Sequence, residues 1–248
     1  LLEKYHGKID AVYHRSKKGG GSWENLKKVP PRWTVHYQDM TFCIKQMGFK
    51  HTGLFPEQTV NWEFMMNKIK RSKRPIKVLN LFAYTGGATV ACLSAGASVT
   101  HVDSSRGMVD WCKENVKASG LEGAPVRYLV DDVKKFVARE IRRGNHYDAI
   151  IMDPPSYGRG TNGEVWDIEK DLALLVSMCS QILVEKPLFF LINSYTTGLS
   201  SYVLKNLLSE VLLPRFPGKV RCGEVGIPIA HSSLVLPCGI YGRWEDET

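Results

Sequence analysis

Closely spaced metal ligands are absent from this chain. The six cysteines (Cys43, Cys92, Cys112, Cys179, Cys222 and Cys238) stand far apart with no Cys-x-x-Cys pair, and the seven histidines show no His-Glu-x-x-His spacing. Neither a zinc site nor a disulfide framework is expected, no metal role is expected elsewhere, and several cysteines fall in apolar runs that read as core. That usage suits a reducing cytoplasm. No stretch reaches the roughly 18 uninterrupted apolar residues of a membrane span. No cleavable leader opens the chain, because Leu1-Leu2-Glu3-Lys4 runs into polar sequence, and a first residue other than Met implies that preceding sequence was removed or omitted. Internal repeats are also missing.

What is present is ordinary in amount and uneven in placement. A length of 248 residues accommodates one α/β domain with a modest appendage, and 44% hydrophobic with 23% charged residues fits a globular protein. The net charge of +8 is segregated: residues 1–75 carry 15 Lys/Arg against 6 Asp/Glu (+9), and the remainder 18 against 19 (−1). Ten of the 25 aromatic residues lie in the same basic third, including Trp23, Trp33 and Trp62. Such segregation points to a polyanionic partner, with a solvated basic face as the plainer alternative.

From Lys77 onward short apolar runs alternate with amphipathic stretches. Strands are predicted over Lys77–Phe82, Ser98–Val102, Val126–Val130, Asp148–Met152 and Leu188–Ile192. Helices are predicted over Ala88–Ser94, Arg106–Ser119, Val133–Arg143, Asp167–Glu185 and Ser201–Leu213. This alternation implies right-handed crossovers and a mostly parallel sheet covered on both faces. Two further runs near Val220–Ile227 and Leu234–Tyr241, with no helix between them, predict an antiparallel hairpin closing a seven-stranded Rossmann-like sheet. Ahead of this domain (76–248), the extension 1–75 reads as a flexible loop at Lys17–Ser22, a hairpin over Thr34–Ile44 turning at Gln38-Asp39, and a basic helix end or linker at Lys68–Arg74.

Parallel sheets bind ligands beyond the carboxyl ends of their strands. The turn after the first core strand, Phe82-Ala83-Tyr84-Thr85-Gly86-Gly87, lacks the Gly-x-Gly-x-x-Gly spelling there that lets backbone approach a pyrophosphate. S-adenosylmethionine, which has an amino-acid tail and no phosphate, fits better. Asp103 ends the second strand about 20 residues further on, the position of a ribose-binding carboxylate. Asp131-Asp132 ends the third strand; Asp132 is expected to hold the adenine amino group and Asp131 to cap the following helix.

Asn80-Leu-Phe-Ala-Tyr-Thr-Gly-Gly87, Val102-Asp-Ser-Ser105, Asp131-Asp-Val133 and Met152-Asp-Pro-Pro155 resemble, in order and spacing, the motifs of class I methyltransferases related to the bacterial large-subunit ribosomal RNA methyltransferases, a family with 5-methylcytosine and 7-methylguanine enzymes. His51–Gln58 resembles the family's lead-in over the cofactor, and the likeness spans roughly residues 45–245. It implies S-adenosylmethionine as cofactor and a site that adds Gln58, Ser104, Ser105, Val133 and Asp153 to the turn residues and to Asp103 and Asp132. Family members commonly carry an N-terminal RNA-binding module with no visible equivalent here, so RNA capture falls to the basic segment.

The fourth strand leads into Asp153-Pro-Pro-Ser-Tyr157, where two prolines stiffen the loop and point its carbonyls outward. In enzymes that methylate exocyclic amines, such a loop supplies acceptors to the amine and an aromatic that stacks on the base; Asp153, Pro154 and Tyr157 are candidates. Methylation at carbon 5 of cytosine needs a thiolate to add at carbon 6 first. The resembling 5-methylcytosine enzymes place that cysteine after the fifth strand, where this chain has Asn193-Ser-Tyr195, so Cys179 or Cys238 would have to substitute. Methylation of a base nitrogen in ribosomal RNA is therefore expected, with Asn193 and Tyr195 beside the acceptor. Tyr157–Gly163, with Arg159, reads as a lid or as a plain surface loop. A small-molecule or protein methyltransferase and a non-enzymatic RNA-binding module are the competing readings. Monomer and homodimer are both open.

Overall fold

The computed structural model describes residues 6–16, 20–160 and 163–247. Two N-terminal hairpins come first: β1 (Ala11–Arg15) with β2 (Gly21–Asn25), and β3 (Trp33–Tyr37) with β4 (Met40–Ile44). A 3-10 turn at Pro56–Gln58 leads into α1 (Thr59–Ser72). The alternating region then runs β5 (Lys77–Leu81), α2 (Gly87–Ser94), β6 (Ser98–Asp103), α3 (Arg106–Ala118), β7 (Val126–Val130), α4 (Val133–Arg143) and β8 (Ala149–Met152). A short pair, β9 (Tyr157–Arg159) and β10 (Val165–Asp167), precedes α5 (Ile168–Ser180), β11 (Phe189–Ser194), α6 (Ser201–Leu212), β12 (Lys219–Pro228) and β13 (Val235–Glu245).

The central sheet has seven strands in the order β12-β13-β11-β8-β5-β6-β7. The five inner-core strands pair in parallel, and β13 joins β11 antiparallel, with β12 outside it. Strand order reverses between β5 and β8, which opens the crevice where an α/β sheet takes its ligand. Alternating side chains feed two cores. Leu79, Leu81, Ile150, Met152, Phe190 and Ile192 pack under α4, α5 and α6. Val78, Ala149, Ile151, Phe189 and Leu191 pack under α1, α2 and α3. Met40, Phe42, Trp62, Met65 and Ile69 join the second core, so much of the extension is bonded to the sheet by burial.

Several expectations shift at their ends. The helix expected over Asp167–Glu185 is shorter, because Asp167 is its cap, accepting from Glu169 N at 3.2 Å, and it stops at Ser180. The strand expected to end at Ile192 carries on through Asn193 and Ser194, because β13 pairs with both. The loop expected at Lys17–Ser22 is in part β2, which begins at Gly21; Lys17–Gly19 lie outside the described residues. Tyr157–Gly163, expected as a lid or a plain surface loop, begins with β9 of the β9–β10 hairpin, with Thr161 and Asn162 outside the described residues. Gly158-x-Gly160-x-x-Gly163 spells a dinucleotide fingerprint, yet this hairpin is not the strand-to-helix turn that the fingerprint requires.

Part of the N-terminal charge is spent internally. Arg74 pairs with Asp148, Lys68 with Asp246 at 2.7 Å, Arg32 with Glu114 at 2.6 Å and Lys27 with Asp10 at 2.7 Å. No helix among the described residues is long and apolar enough to cross a membrane.

Candidate cofactor and acceptor site

Phe82–Gly87 leaves β5 by a turn in which Phe82, Tyr84 and Gly86 all take left-handed backbone angles (φ 53°, 50° and 83°). For the two aromatic residues this costs on the order of 1–2 kcal/mol each and persists only where neighbours dictate it. Those neighbours are specific. Ala83 N donates to Val102 O at 3.1 Å and Tyr84 N to Asp103 Oδ2 at 2.8 Å. Thr85 Oγ1 donates to Gly53 O at 2.6 Å, and Asn115 Nδ2 donates to Thr85 O at 2.8 Å. Thr85 thus secures the lead-in segment to the turn.

A Cβ on Gly86 would stand 2.2 Å from Cys112 Sγ, and one on Gly87 would stand 2.7 Å from the Trp62 ring. Gly86→Ala combines that clash with a left-handed φ and is expected to destabilise the protein by roughly 2–4 kcal/mol. Denaturant unfolding measures it; a change below about 0.5 kcal/mol, the scale of an ordinary surface substitution, would remove the argument.

Carboxylates stand at the ends of the next strands. Asp103 is half-buried, with Oδ1 accepting from Ser105 N at 2.8 Å, and burial raises its pKa despite both backbone donors. Ser104 beside it lines the cleft, and Ser105 occupies the N-cap of α3 with no side-chain cap bond. The division expected for the acidic pair is reversed at the helix end. Asp132, not Asp131, caps α4, accepting from Lys135 N at 2.9 Å, while Asp131 pairs with Arg139. Asp132 still faces a cavity of about 110 Å³ with Ser104, Val130 and Gly160. The Val133 side chain is buried in the core and does not line this cavity.

Asp153, after β8, stands at the crevice where strand order reverses. It lines both a small cavity of about 50 Å³ and a larger cleft of about 820 Å³. The smaller cavity is lined by Gln58, Phe82, Ala83, Tyr84, Thr85 and Asn193 among others. The cleft runs from Asp103 and Ser104 past Asp153 to Pro154, Ser156, Tyr195 and Cys238. Burial, and then the nearby Glu57 carboxylate, push the Asp153 carboxyl up to about 7. The loop's carbonyls, expected to point outward, are partly internal: Pro155 O accepts from Trp166 Nε1 at 2.7 Å and Ser156 O from Ile168 N at 3.1 Å. Trp166 also meets Phe82 edge to face at 4.7 Å, tying the loop to the turn.

Tyr195 and Asn193 reach the site. Gln58 Nε2 donates to the Tyr195 hydroxyl at 2.7 Å, and Asn61 Nδ2 donates to Gln58 Oε1 and to Asn193 Oδ1, each at 2.9 Å. Burial and the Asp153 charge raise the Tyr195 phenol, which stays protonated. Tyr157 does not line the cleft. It is 54% exposed on β9, and its hydroxyl accepts from Arg159 Nε at 3.3 Å. The sequence reading missed Glu57, a buried carboxylate at the same cleft, and Phe55 between Tyr84 and Tyr195. Both lie in the lead-in segment, where adjacency to Gln58 was the only available signal. Cys179 is fully buried in the core and lines neither the small cavity nor the cleft, which argues against it as a nucleophile.

The donor set fits S-adenosylmethionine. Asp103, Asp153 and Glu57 give the cleft three carboxylates, which favour a cation and oppose a pyrophosphate. Asp103 is held by two backbone donors in a way that would suit ribose hydroxyls, and the carboxyl of Asp153, displaced upward, would gain from a sulfonium beside it.

Comparison with known proteins agrees. A family model described as S-adenosylmethionine-dependent methyltransferase matches residues 7–205. A crystal structure of the S-adenosylmethionine-dependent methyltransferase from Agrobacterium tumefaciens superposes with a TM-score of 0.93 at 37% identity, over 99% of this chain and 80% of that one. The ribosomal RNA large subunit methyltransferase K/L of Syntrophotalea carbinolica is 30% identical over 189 residues, 75% of this chain and 26% of the relative. The ribosomal RNA large subunit methyltransferase K of Neisseria meningitidis is 26% identical over 196 residues, 78% of this chain and 53% of the relative. The chain thus spans about a quarter and about half, respectively, of these curated relatives' lengths.

Proposed function

The chain belongs to the S-adenosylmethionine-dependent methyltransferases, and from that premise we propose that it methylates a nitrogen of a base in ribosomal RNA, acting in the cytoplasm. The observation that carries the choice of nitrogen is Tyr195, whose hydrogen-bonded phenol fills the wall of the cleft where a carbon-5 enzyme needs a thiolate. Asp103 would hold the ribose, Asp132 the adenine end, and Gln58 with the Phe82–Gly87 turn the amino-acid tail. The bound cofactor supplies an electrophilic methyl on a cationic sulfur. Asp153 would face that charge and could take a proton from an exocyclic amine, while a ring nitrogen with its own lone pair needs none removed. Buried Pro154 and the Tyr195 ring would give the acceptor an apolar wall, so catalysis would rest on alignment and on desolvation against that wall. The names of the curated relatives support ribosomal RNA as the acceptor's source, as does the basic, aromatic N-terminal third.

One observation favours a second reading. Cys238 also lines the cleft and would be the nucleophile of a 5-methylcytosine enzyme. Its surroundings oppose this, because burial and Glu57 push the thiol up rather than down, away from thiolate. Transfer of labelled methyl from S-adenosylmethionine to ribosomal RNA fragments, followed by nucleoside identification, tests both readings. Label in an N-methylated nucleoside is expected, and Cys238→Ala should keep activity within about twofold, as for a residue outside the chemistry. Label in 5-methylcytidine, lost in Cys238→Ala, would establish the second reading. Label in no RNA would leave a small molecule or protein as acceptor.

A further inference from the structure

Gln46–Thr52 crosses between the N-terminal hairpins and the cleft carrying rings that form a continuous edge. Phe49 meets His51 with centroids 5.5 Å apart, His51 meets Phe55 at 5.1 Å, and Phe55 meets Tyr195 at 5.4 Å. The Tyr195 end is the wall of the acceptor cleft. At the other end, outside it, Phe49 is 45% exposed. Its neighbours Lys50 and His51 line the cleft mouth.

This segment is held from several directions. Trp23 Nε1 donates to Met47 O at 3.0 Å, Gln46 Nε2 donates to Asn25 Oδ1 at 2.6 Å, and Lys45 N donates to Thr52 O at 3.1 Å. The Tyr84 hydroxyl donates to Met47 Sδ at 3.4 Å. The β1–β2 hairpin therefore props an exposed ring at the entrance, where local collapse would have buried it. Burial and the Lys50 charge lower the His51 pKa, leaving a neutral ring at neutral pH.

We propose that Phe49, His51 and Lys50 form a subsite for the nucleotide next to the acceptor in single-stranded RNA. The neighbouring base stacks on Phe49 and its phosphate lies against Lys50. The chemistry requires such a site. A base that reaches Asp153 must leave its stack, which strips its neighbour of a stacking partner, and an aromatic face replaces that partner whatever the sequence. The three carboxylates inside the cleft repel phosphate, which keeps the backbone toward Lys50, the one Lys or Arg that lines the cleft among the described residues.

This subsite rests on the RNA reading above, and one experiment separates the two. Anisotropy titrations use the full chain with a short labelled single-stranded RNA of mixed sequence, and the duplex of that sequence as comparison. Calorimetry with S-adenosylhomocysteine confirms that each variant keeps its cofactor site. Phe49→Ala and Phe49→Leu are expected to weaken single-strand binding roughly 5- to 100-fold, and Phe49→Trp to hold it within about threefold. Lys50→Ala should lower the slope of log affinity against log salt by about one. The duplex should bind more weakly and ignore both Phe49 changes. Wild-type binding to single strands that Phe49→Ala and Phe49→Leu leave unchanged overturns the subsite and spares the RNA reading. No wild-type binding to RNA at low salt sinks both.

Discussion

Asp153→Asn is expected to lower the rate of methyl transfer by about 10²–10³ while the fold and the shape of the cleft persist. Asn keeps the volume and the hydrogen-bonding oxygen but removes the negative charge that faces the sulfonium, in a half-buried place where charge interactions are poorly screened. The pH dependence gives the prediction a second, independent form. Burial and Glu57 hold the Asp153 carboxyl at about 7 against an ordinary 3.8, so the cofactor-free fold favours the protonated acid. For a group raised in this way, the stabilising preference is complete below the unfolded value near 3.8 and is lost as pH rises through about 7. Cofactor-free protein should therefore lose stability between those limits, and Asp153→Asn should be free of that loss and melt higher than wild type at pH 8.

A bound sulfonium cation reverses the preference. Affinity of wild type for S-adenosylmethionine should rise with pH up to about 7, by at most tenfold per unit, and then level off. S-adenosylhomocysteine, whose sulfur is neutral, should show little of this dependence. A rate unchanged in Asp153→Asn, or equal pH profiles for the two ligands, would remove Asp153 from the reaction centre.

Asp103→Ala should raise the dissociation constants of S-adenosylmethionine and S-adenosylhomocysteine alike, by roughly 10–100-fold, because the ribose is common to both. A hydrogen bond to a charged group contributes about 1.5–3 kcal/mol, and a diol offers two donors. The loss has a second component. The Tyr84 and Ser105 amides are left without their acceptor, and the left-handed Tyr84 loses what holds it. Asp103→Glu should not rescue, since one added methylene moves both carboxylate oxygens off those amides. Calorimetry on both ligands distinguishes the two acids: equal weakening marks the ribose, and selective loss of the sulfonium ligand marks the reaction centre. Unchanged affinity in Asp103→Ala would place the ribose elsewhere.

Strand ends were legible in the sequence because short continuous apolar runs, glycine turns and acidic residues at those ends follow from a parallel sheet buried on both faces. Phe82, Tyr84 and Asp103 fall where that pattern places them. The left-handed angles at Phe82 and Tyr84 were not legible, since an aromatic residue disfavours them and the Asp103 bond that imposes one of them comes from another strand. α4 begins at Val133 as expected, which makes Asp132 its N-cap; what the sequence pattern did not show is the ion pair that draws Asp131 to Arg139 instead. Tyr157 was drawn toward the acceptor by its distance from Asp153 along the chain. Three ladder pairs between β9 and β10 turn it outward instead. Glu57, Phe55 and Cys238 reach the cleft only through packing of the lead-in turn against the C-terminal hairpin, a contact between segments far apart in sequence.

The most direct measurement is nucleoside mass spectrometry of ribosomal RNA from cells with the gene, without it, and with the gene carrying Asp153→Asn. Loss of one N-methylated base in the deletion and in Asp153→Asn, restored by the wild-type gene, is the predicted result. An unchanged nucleoside profile, or the disappearance of 5-methylcytidine instead, would contradict a nitrogen acceptor in ribosomal RNA.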